Sequence, residues 1–163
     1  MGNFYVNHTI LNAAPETVAK SLTGHSAFIA RGENNYVVVY DAESDTQDQQ
    51  AITALGQKLS RDLNTTVLAV LNHDDDILWF QLFQDGRLTE QYDSTPGYFE
   101  GDISEPTGGN AAKLAEAFHV EDQLAIERAL RGEYTFAVHR HQALAEALNL
   151  PNCSIGFGYK YLD

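Results

Sequence analysis

The sequence predicts an α+β fold in which helices cover both faces of a mainly antiparallel sheet. The first observation is that residues 66–93 contain three consecutive strand-like runs separated by two tight turns. The second is that the first of these runs, Val67 to Leu71, is apolar at every position. Because neighbouring side chains of a strand point to opposite faces, such a run needs protein on both faces of its sheet.

The residues before this stretch supply a strand, a helix, a hairpin and a second helix. Asn3 to Leu11 alternates as a strand does, and Pro15 stands where the first turn of a helix accepts proline. Ala27 to Ala30 and Tyr36 to Tyr40 flank an asparagine-rich turn and form a predicted hairpin. A longer helix follows Asp45, because apolar residues recur there at spacings of three and four positions: Ile52, Leu55, Leu59 and Leu63.

With the strand at Val67 to Leu71, the order is strand, helix, strand, strand, helix, strand, which is the split βαβ arrangement of ferredoxin-like domains. A doubly apolar strand makes a poor sheet edge, so we expect Ile77 to Phe83 to pair beside it. Leu88 to Tyr92 is half polar and then forms the new edge. The prediction is a ferredoxin-like βαββαβ core extended by a β-hairpin into a mainly antiparallel sheet of about six strands.

The C-terminal third is expected to pack on the second face of the sheet. After a loop over residues 95–109, apolar spacing predicts helices over residues 110–118 and 120–130, and a third between Tyr134 and Pro151. Alternation over Ile155 to Tyr161 predicts a final strand. We therefore expect a single domain over residues 1–163. Residues 1–93 form its sheet core, and residues 94–163 supply the loop, the C-terminal helices and the final strand.

The charge of the chain limits its partners. Lysine and arginine together number 10 and aspartate and glutamate 23, which gives a net charge of −13. A chain of that sign repels phosphate backbones and anionic membrane surfaces, so we expect neither nucleic acid nor a membrane as a partner. A basic protein is the partner that this charge favours.

The cysteine content indicates the compartment. Cys153 is the only cysteine, so no intramolecular disulfide can form, and a reducing compartment is favoured. No run approaches the roughly 20 apolar residues of a membrane helix, and the N-terminal residues lack the layout of a signal peptide. These features predict a cytoplasmic protein.

Three stretches resemble a set of small hypothetical bacterial proteins that have no established activity. They are MGNFY at the start, LNHDDDILWFQLFQDGRL over Leu71 to Leu88, and FAVHRHQALAEALNLP with GFGYKYL over Phe136 to Pro151 and Gly156 to Leu162. The likeness spans most of the chain. It implies no catalytic, cofactor-binding or partner-binding residue.

Two clusters contain residue types that often bind metal ions. His73 is followed by Asp74 to Asp76, but adjacent carboxylates on an extended chain diverge, and their spacing differs from that of a calcium loop. A solvated hairpin turn is the favoured interpretation, and cation binding by Asp74 to Asp76 stays an alternative. His139 and His141 diverge by about 200° on a helix. We therefore predict no metal site and no cofactor.

The sequence contains no clear catalytic signature. No serine lies in a Gly-x-Ser-x-Gly context. Cys153 follows the last predicted helix, whose dipole raises the pKa of a nearby thiol. Gly108-Gly109 precedes a helix without the other residues of a phosphate-binding loop. We predict no catalytic residue, and a non-enzymatic function is favoured.

The favoured hypothesis is an acidic interaction or regulatory module that binds a basic protein. Its predicted contact residues lie in the loop after the sixth strand, where two rings precede acidic residues: Tyr98, Phe99, Glu100 and Asp102. Aromatic rings at the surface beside charges are typical of protein interfaces.

The alternative is a small-molecule-binding protein or an enzyme with a pocket between the sheet and the C-terminal helices. The residues predicted to converge in this pocket are His8, Tyr40, Trp79 and His141. Self-association into a homodimer is compatible with either function, through the predicted edge strand Leu88 to Tyr92.

Overall fold

The computed structural model describes residues 2–102 and 104–162. Its strands are β1 (Tyr5–Leu11), β2 (Ala27–Arg31), β3 (Tyr36–Asp41), β4 (Thr66–His73), β5 (Ile77–Gln84), β6 (Arg87–Asp93) and β7 (Thr107–Gly108). Its α-helices are α1 (Pro15–Ser21), α2 (Gln49–Leu63), α3 (Ala111–Phe118), α4 (Gln123–Arg131) and α5 (Ala137–Leu148).

The strands form one sheet in the order β2-β3-β1-β4-β5-β6-β7, and each neighbouring pair is antiparallel. The doubly apolar strands β4 and β5 lie inside the sheet, as predicted. The sheet has seven strands where the sequence predicts about six, because the two-residue strand β7 lies within the predicted loop. β7 pairs with Tyr92 and Asp93, so the predicted edge strand Leu88 to Tyr92 is covered at its C-terminal end.

Two apolar cores lie on the two faces of the sheet. On one face, Val6 and Ile10 of β1 pack with residues of α1 and α2. On the other, Tyr5 and Leu11 pack with residues of α3, α4 and α5. The expectation that helices cover both faces, with the C-terminal helices on the second, is confirmed by these cores. Alternation along each strand divides the side chains between them.

The predicted final strand over Ile155 to Tyr161 is wrong. This segment instead follows one 3₁₀ turn at Asn152–Ser154 and contains another at Tyr159–Tyr161. The Asn7 side chain donates hydrogen bonds to the backbone carbonyls of Ser154 and Phe157, at 2.7 and 3.0 Å. Because a buried side chain pairs these carbonyls, the segment does not need a neighbouring strand to satisfy them.

Gly56 marks the closest approach of α2 to the sheet, and its substitution gives a test of the packing. A Cβ built on Gly56 would lie 2.3 Å from the Phe83 ring, which is fully buried. We expect Gly56→Ala to lower the free energy of unfolding by about 2 kcal/mol through overpacking. At a helix position without such a close contact, glycine to alanine raises the free energy of unfolding by roughly 1 kcal/mol. Urea denaturation measures the change, and a stabilised variant would contradict this packing.

Candidate functional site

The register of the sheet brings several chain segments to the same end. β1 begins where β4 ends, because the first residue of β1 pairs with Asn72. β5 begins and β6 ends there too, since His73 pairs with Ile77 and Trp79 pairs with Asp93. The segment before β1 and the loop after β6 therefore meet at this end of the sheet.

Ring-bearing side chains from five separate segments gather here, and we call them the aromatic band. Its members are Phe4, Phe28, His73, Tyr98, Phe99, Tyr159 and Tyr161. The His73 ring lies at the centre of one part of the band. Its centroid is 5.1 Å from that of Phe4, 5.2 Å from that of Phe99 and 6.1 Å from that of Tyr98. All three contacts are edge-on, a favourable geometry for ring pairs.

Lys160 connects this part of the band to the rest. Its Nζ lies 5.2 Å from the ring centroid of Phe4 and 5.1 Å from that of Tyr161, within the range of cation–π attraction. Phe28 and Tyr159 complete the band, with ring centroids 5.1 Å apart. The Tyr159 segment is held in place because its backbone N–H donates to Asp45 Oδ1 at 3.2 Å.

Much of the band faces solvent. The exposed fraction is 74% for Phe99, 46% for Tyr161 and 37% for Phe28. Single exposed apolar residues are ordinary on protein surfaces, whereas contiguous ones mark binding surfaces. The part of the band around His73 belongs to the second kind, because the rings of Phe4, Tyr98 and Phe99 all contact this imidazole. Phe28 and Tyr159 form a separate pair.

Gln47 fixes the orientation of the central ring. Its Nε2 donates to the Asn72 carbonyl at 2.8 Å, and its Oε1 accepts a hydrogen bond from His73 Nδ1 at 2.7 Å. Gln47 directly precedes Asp48, the N-cap residue of α2, and its backbone is left-handed with a φ of 67°. From this position its side chain reaches both partners. The His73 ring is thus held by the backbone of its own strand through one side chain.

A cleft with a volume of about 370 Å³ opens beside the band. Sheet residues that are otherwise buried reach its surface: Leu71, Ile77 and Trp79. Tyr98 and Phe99 also line the cleft, and their rings are nearly perpendicular at a centroid distance of 5.2 Å. A cleft of 380 Å³ elsewhere, at Lys113, is lined by no ring. This cleft thus combines an apolar surface with the ring of Phe99, which is 74% exposed.

Two carboxylates also line the cleft. Asp93 Oδ1 accepts a hydrogen bond from the Thr95 N–H at 2.9 Å, and Glu100 is exposed. Neither lysine nor arginine is among the described residues that line the cleft. The cleft therefore carries uncompensated negative charge.

The three aspartates between β4 and β5 accept hydrogen bonds from different partners. This agrees with the prediction that adjacent carboxylates diverge. Asp74 Oδ1 accepts from the Gly2 N–H at 3.0 Å, and Asp76 Oδ2 accepts from the Tyr98 hydroxyl at 2.9 Å. The Asp75 carboxylate accepts the backbone N–H of Val138 in α5 at 2.9 Å. Across residues 2–102 and 104–162, no three His, Cys, Asp or Glu side chains are grouped so that they could hold a metal ion.

Three of the four predicted contact residues lie together. Tyr98, Phe99 and Glu100 line the cleft. Asp102 does not; its backbone N–H donates to the Gly97 carbonyl at 3.0 Å, and its carboxylate accepts from the Ser104 hydroxyl. That turn brings the Asp102 side chain against Gly97, which lines the cleft, but Asp102 itself is not part of the lining.

The four residues of the predicted pocket do not share one pocket. His8 donates from Nε2 to the Ile52 carbonyl of α2, and Trp79 belongs to the core beneath α1 and α2. Tyr40 donates to the Cys153 carbonyl, and His141 contacts Tyr5 on the opposite face. The sheet separates the two pairs, so a pocket built from all four is excluded.

The environments of three ionisable groups indicate structural roles. The hydrogen bond to Asp76 raises the pKa of the Tyr98 hydroxyl, which therefore stays a neutral donor. Burial raises the pKa of Asp45 beneath Tyr159, and burial also raises the pKa of the Cys153 thiol. A raised thiol pKa disfavours the thiolate that nucleophilic chemistry requires.

Comparison of the chain with protein-family models, with curated proteins and with solved structures gave no match. Within the described part of the chain, no helix is both long enough and apolar enough to span a bilayer. The aromatic band is the feature that the sequence argument missed, apart from Tyr98 and Phe99. Its other rings come from segments that only the tertiary structure brings together, through the strand register and through the hydrogen bond from the Tyr159 N–H to Asp45.

Proposed function

We propose that the protein is a non-enzymatic interaction module whose aromatic band binds a basic protein partner. The observation that carries this proposal is the contact of the rings of Phe4, Tyr98 and Phe99 with His73 at one end of the sheet, where Phe99 is 74% exposed. Aromatic residues, including phenylalanine, are enriched at the cores of protein interfaces, and tyrosine is among the residues that contribute most to binding energy there. Packing within the protein does not explain why Phe99, which is so exposed, contacts the rings of His73 and Tyr98.

Charge identifies the kind of partner. The chain has a net charge of −13, and the cleft beside the band is lined by Asp93 and Glu100. A basic surface would therefore be attracted over a distance and would find carboxylates beside the rings. The attraction should weaken as salt is added, because the Debye length is about 8 Å at physiological ionic strength.

The fold and the location are finer parts of the same proposal. A ferredoxin-like arrangement of the first four strands is supported by their order β2-β3-β1-β4, with α1 between β1 and β2 and α2 between β3 and β4 along the chain. A cytoplasmic location is supported by Cys153, the only cysteine, which is a free thiol.

Peptide display on the immobilised full chain tests the proposed function. We expect the selected peptides to combine an apolar residue with lysine or arginine, and to lose roughly tenfold or more in affinity for Phe99→Ser, since an interface ring contributes at least about 1.4 kcal/mol. Phe99 is exposed, so this change should leave the fold intact.

Leu124→Ser is the matched control, because Leu124 is 68% exposed on α4 and belongs to no ring contact of the band. Peptides should bind this variant as they bind the unchanged protein. Selection of acidic peptides, or equal losses in the two variants, would refute the proposal.

A further inference from the structure

We propose that the cleft beside the aromatic band receives the side chain of one arginine of the partner protein. This inference rests on the proposed function and names the group that the cleft recognises. It follows from four properties of the cleft, which are its apolar surface, its rings, its carboxylates and its volume.

The apolar surface of the cleft suits an aliphatic stem. Leu71, Ile77 and Trp79 line it, yet they are only 5%, 6% and 8% exposed. These side chains belong to the core beneath α1 and α2, and only a few of their atoms remain accessible. An arginine places three methylene groups over such a surface while its charged end stays at the opening.

The rings of the cleft suit the planar end of the side chain. Phe99 offers a largely free ring, supported by edge contacts to His73 and Tyr98. Guanidinium groups stack on such rings and gain about 0.5–2 kcal/mol from cation–π attraction. Elsewhere in this protein Arg140 lies over the ring of Tyr134, with its Cζ 4.8 Å from the centroid.

The carboxylates of the cleft supply acceptors for the guanidinium. Asp93 uses Oδ1 for the Thr95 N–H, and this hydrogen bond orients its carboxylate. The Glu100 carboxylate forms no hydrogen bond or ion pair with any residue that the structure describes, whereas the Glu100 backbone N–H donates to the Gly97 carbonyl at 3.0 Å. A guanidinium has five N–H donors in a fixed plane, so it can pair with a carboxylate while it stacks on a ring.

Size and hydration favour arginine over other occupants. The volume of about 370 Å³ is near the lower limit of small-molecule pockets, which span roughly 300–1,000 Å³. It therefore suits one long side chain better than a large cofactor. Lysine has a comparable stem, but its ammonium is more strongly hydrated and cannot stack on a ring as a plane does.

The fluorescence of Trp79 tests the inference directly, because Trp79 is the only tryptophan and lines the cleft. The full chain is titrated with N-acetyl-arginine methylamide, with the matching lysine derivative, and with the citrulline derivative, which is neutral and nearly isosteric. We expect a saturable change for arginine with a Kd in the millimolar range, roughly tenfold weaker binding for citrulline, and an intermediate value for lysine.

Two conservative variants locate the contact. Asp93→Asn and Glu100→Gln should each weaken arginine binding by roughly three- to tenfold, because each removes one charged acceptor. Glu121→Gln removes the same charge from an exposed loop residue that does not line the cleft, and should leave binding unchanged.

Equal responses to arginine and citrulline, or equal losses in Glu100→Gln and Glu121→Gln, would overturn the inference. Failure of this inference is distinct from failure of the proposed function. Selected peptides that require Phe99 but contain no essential arginine would refute the arginine assignment and leave the interaction surface standing. Arginine binding without any band-dependent peptide would refute the protein partner as the source of the cation.

Discussion

Asp75→Ala is expected to lower the free energy of unfolding by about 4 kcal/mol, since it leaves one buried donor and two partly buried donors unpaired. The Asp75 carboxylate accepts from Asn72 Nδ2, from the Val138 N–H and from Asn3 Nδ2, each at 2.9 Å. Asp75 itself is only 8% exposed, and Asn72 is fully buried. The measurement is urea denaturation followed by circular dichroism.

The cost is large because Asp75 performs the role of a helix cap from a distant part of the chain. The N-cap residue of α5 is Phe136, whose side chain accepts no hydrogen bond. Asp75 replaces it, since its carbonyl accepts the Ala137 N–H at 2.7 Å and its carboxylate accepts the next N–H of the helix. Loss of a helix cap alone costs about 1 kcal/mol, and the buried Asn72 amide adds to this.

Asp74→Ala is the matched control for this change. Asp74 and Asp75 have φ values of 53° and 60°, so alanine introduces similar left-handed strain at both positions. Among the residues that the structure describes, only Gly2 donates a hydrogen bond to the Asp74 carboxylate. The difference between the two variants therefore isolates the hydrogen bonds of Asp75, and equal destabilisation would show that the capping role is wrong.

The interior of the sheet could be predicted because its signal is local. Every residue of Val67 to Leu71 is apolar, and each of the two cores takes alternate members of that strand. The three C-terminal helices carry their own periodic pattern and are found within a few residues of the predicted positions. Local pattern and tertiary packing agree in these elements.

The C-terminal segment could not be predicted because its conformation depends on a distant side chain. Ile155 to Tyr161 alternates as a strand does, yet the Asn7 side chain donates to the carbonyls of Ser154, just before it, and Phe157, within it. Asn7 lies in β1, 147 residues before Ser154. The local sequence contains no pattern that predicts this contact.

The same reason explains which part of the site was found. Tyr98 to Glu100 has a local signal, aromatic rings beside acids in a loop. Phe4, Phe28 and Tyr161 look like single rings in unrelated segments. The strand register brings the segments of Phe4 and Phe28 to one end, and Lys160 connects the rings of Phe4 and Tyr161. The strand register also explains why the predicted pocket does not form, since His8 pairs with Val39 and therefore faces away from Tyr40.

Acid is expected to destabilise the protein through His141, whose ring is fully buried against Tyr5. Burial lowers the pKa of His141 from 6.5 to about 4. Above pH 6.5 the ring is neutral in both the folded and the unfolded chain, so it contributes no pH dependence. Between pH 6.5 and pH 4 only the unfolded chain binds the proton, and the free energy of unfolding falls by about 1.4 kcal/mol per pH unit, or about 3 kcal/mol in all.

Burial also lowers the pKa of His8, so its contribution has the same sign, and a matched pair of variants separates His141 from the other titrating groups. His141→Gln removes the buried ring, while His139→Gln changes an exposed position on the same helix. The unfolding free energy of each variant is measured in urea at pH 4.5, 5.5 and 6.5. We expect the slope against pH to flatten by about 1 kcal/mol per unit in His141→Gln and to stay unchanged in His139→Gln.

The slope is the decisive quantity because a lost Tyr5 contact lowers stability at every pH, whereas only a titrating group at position 141 changes how stability varies with pH. Equal slopes in the two variants would mean that the buried ring takes up its proton without unfolding.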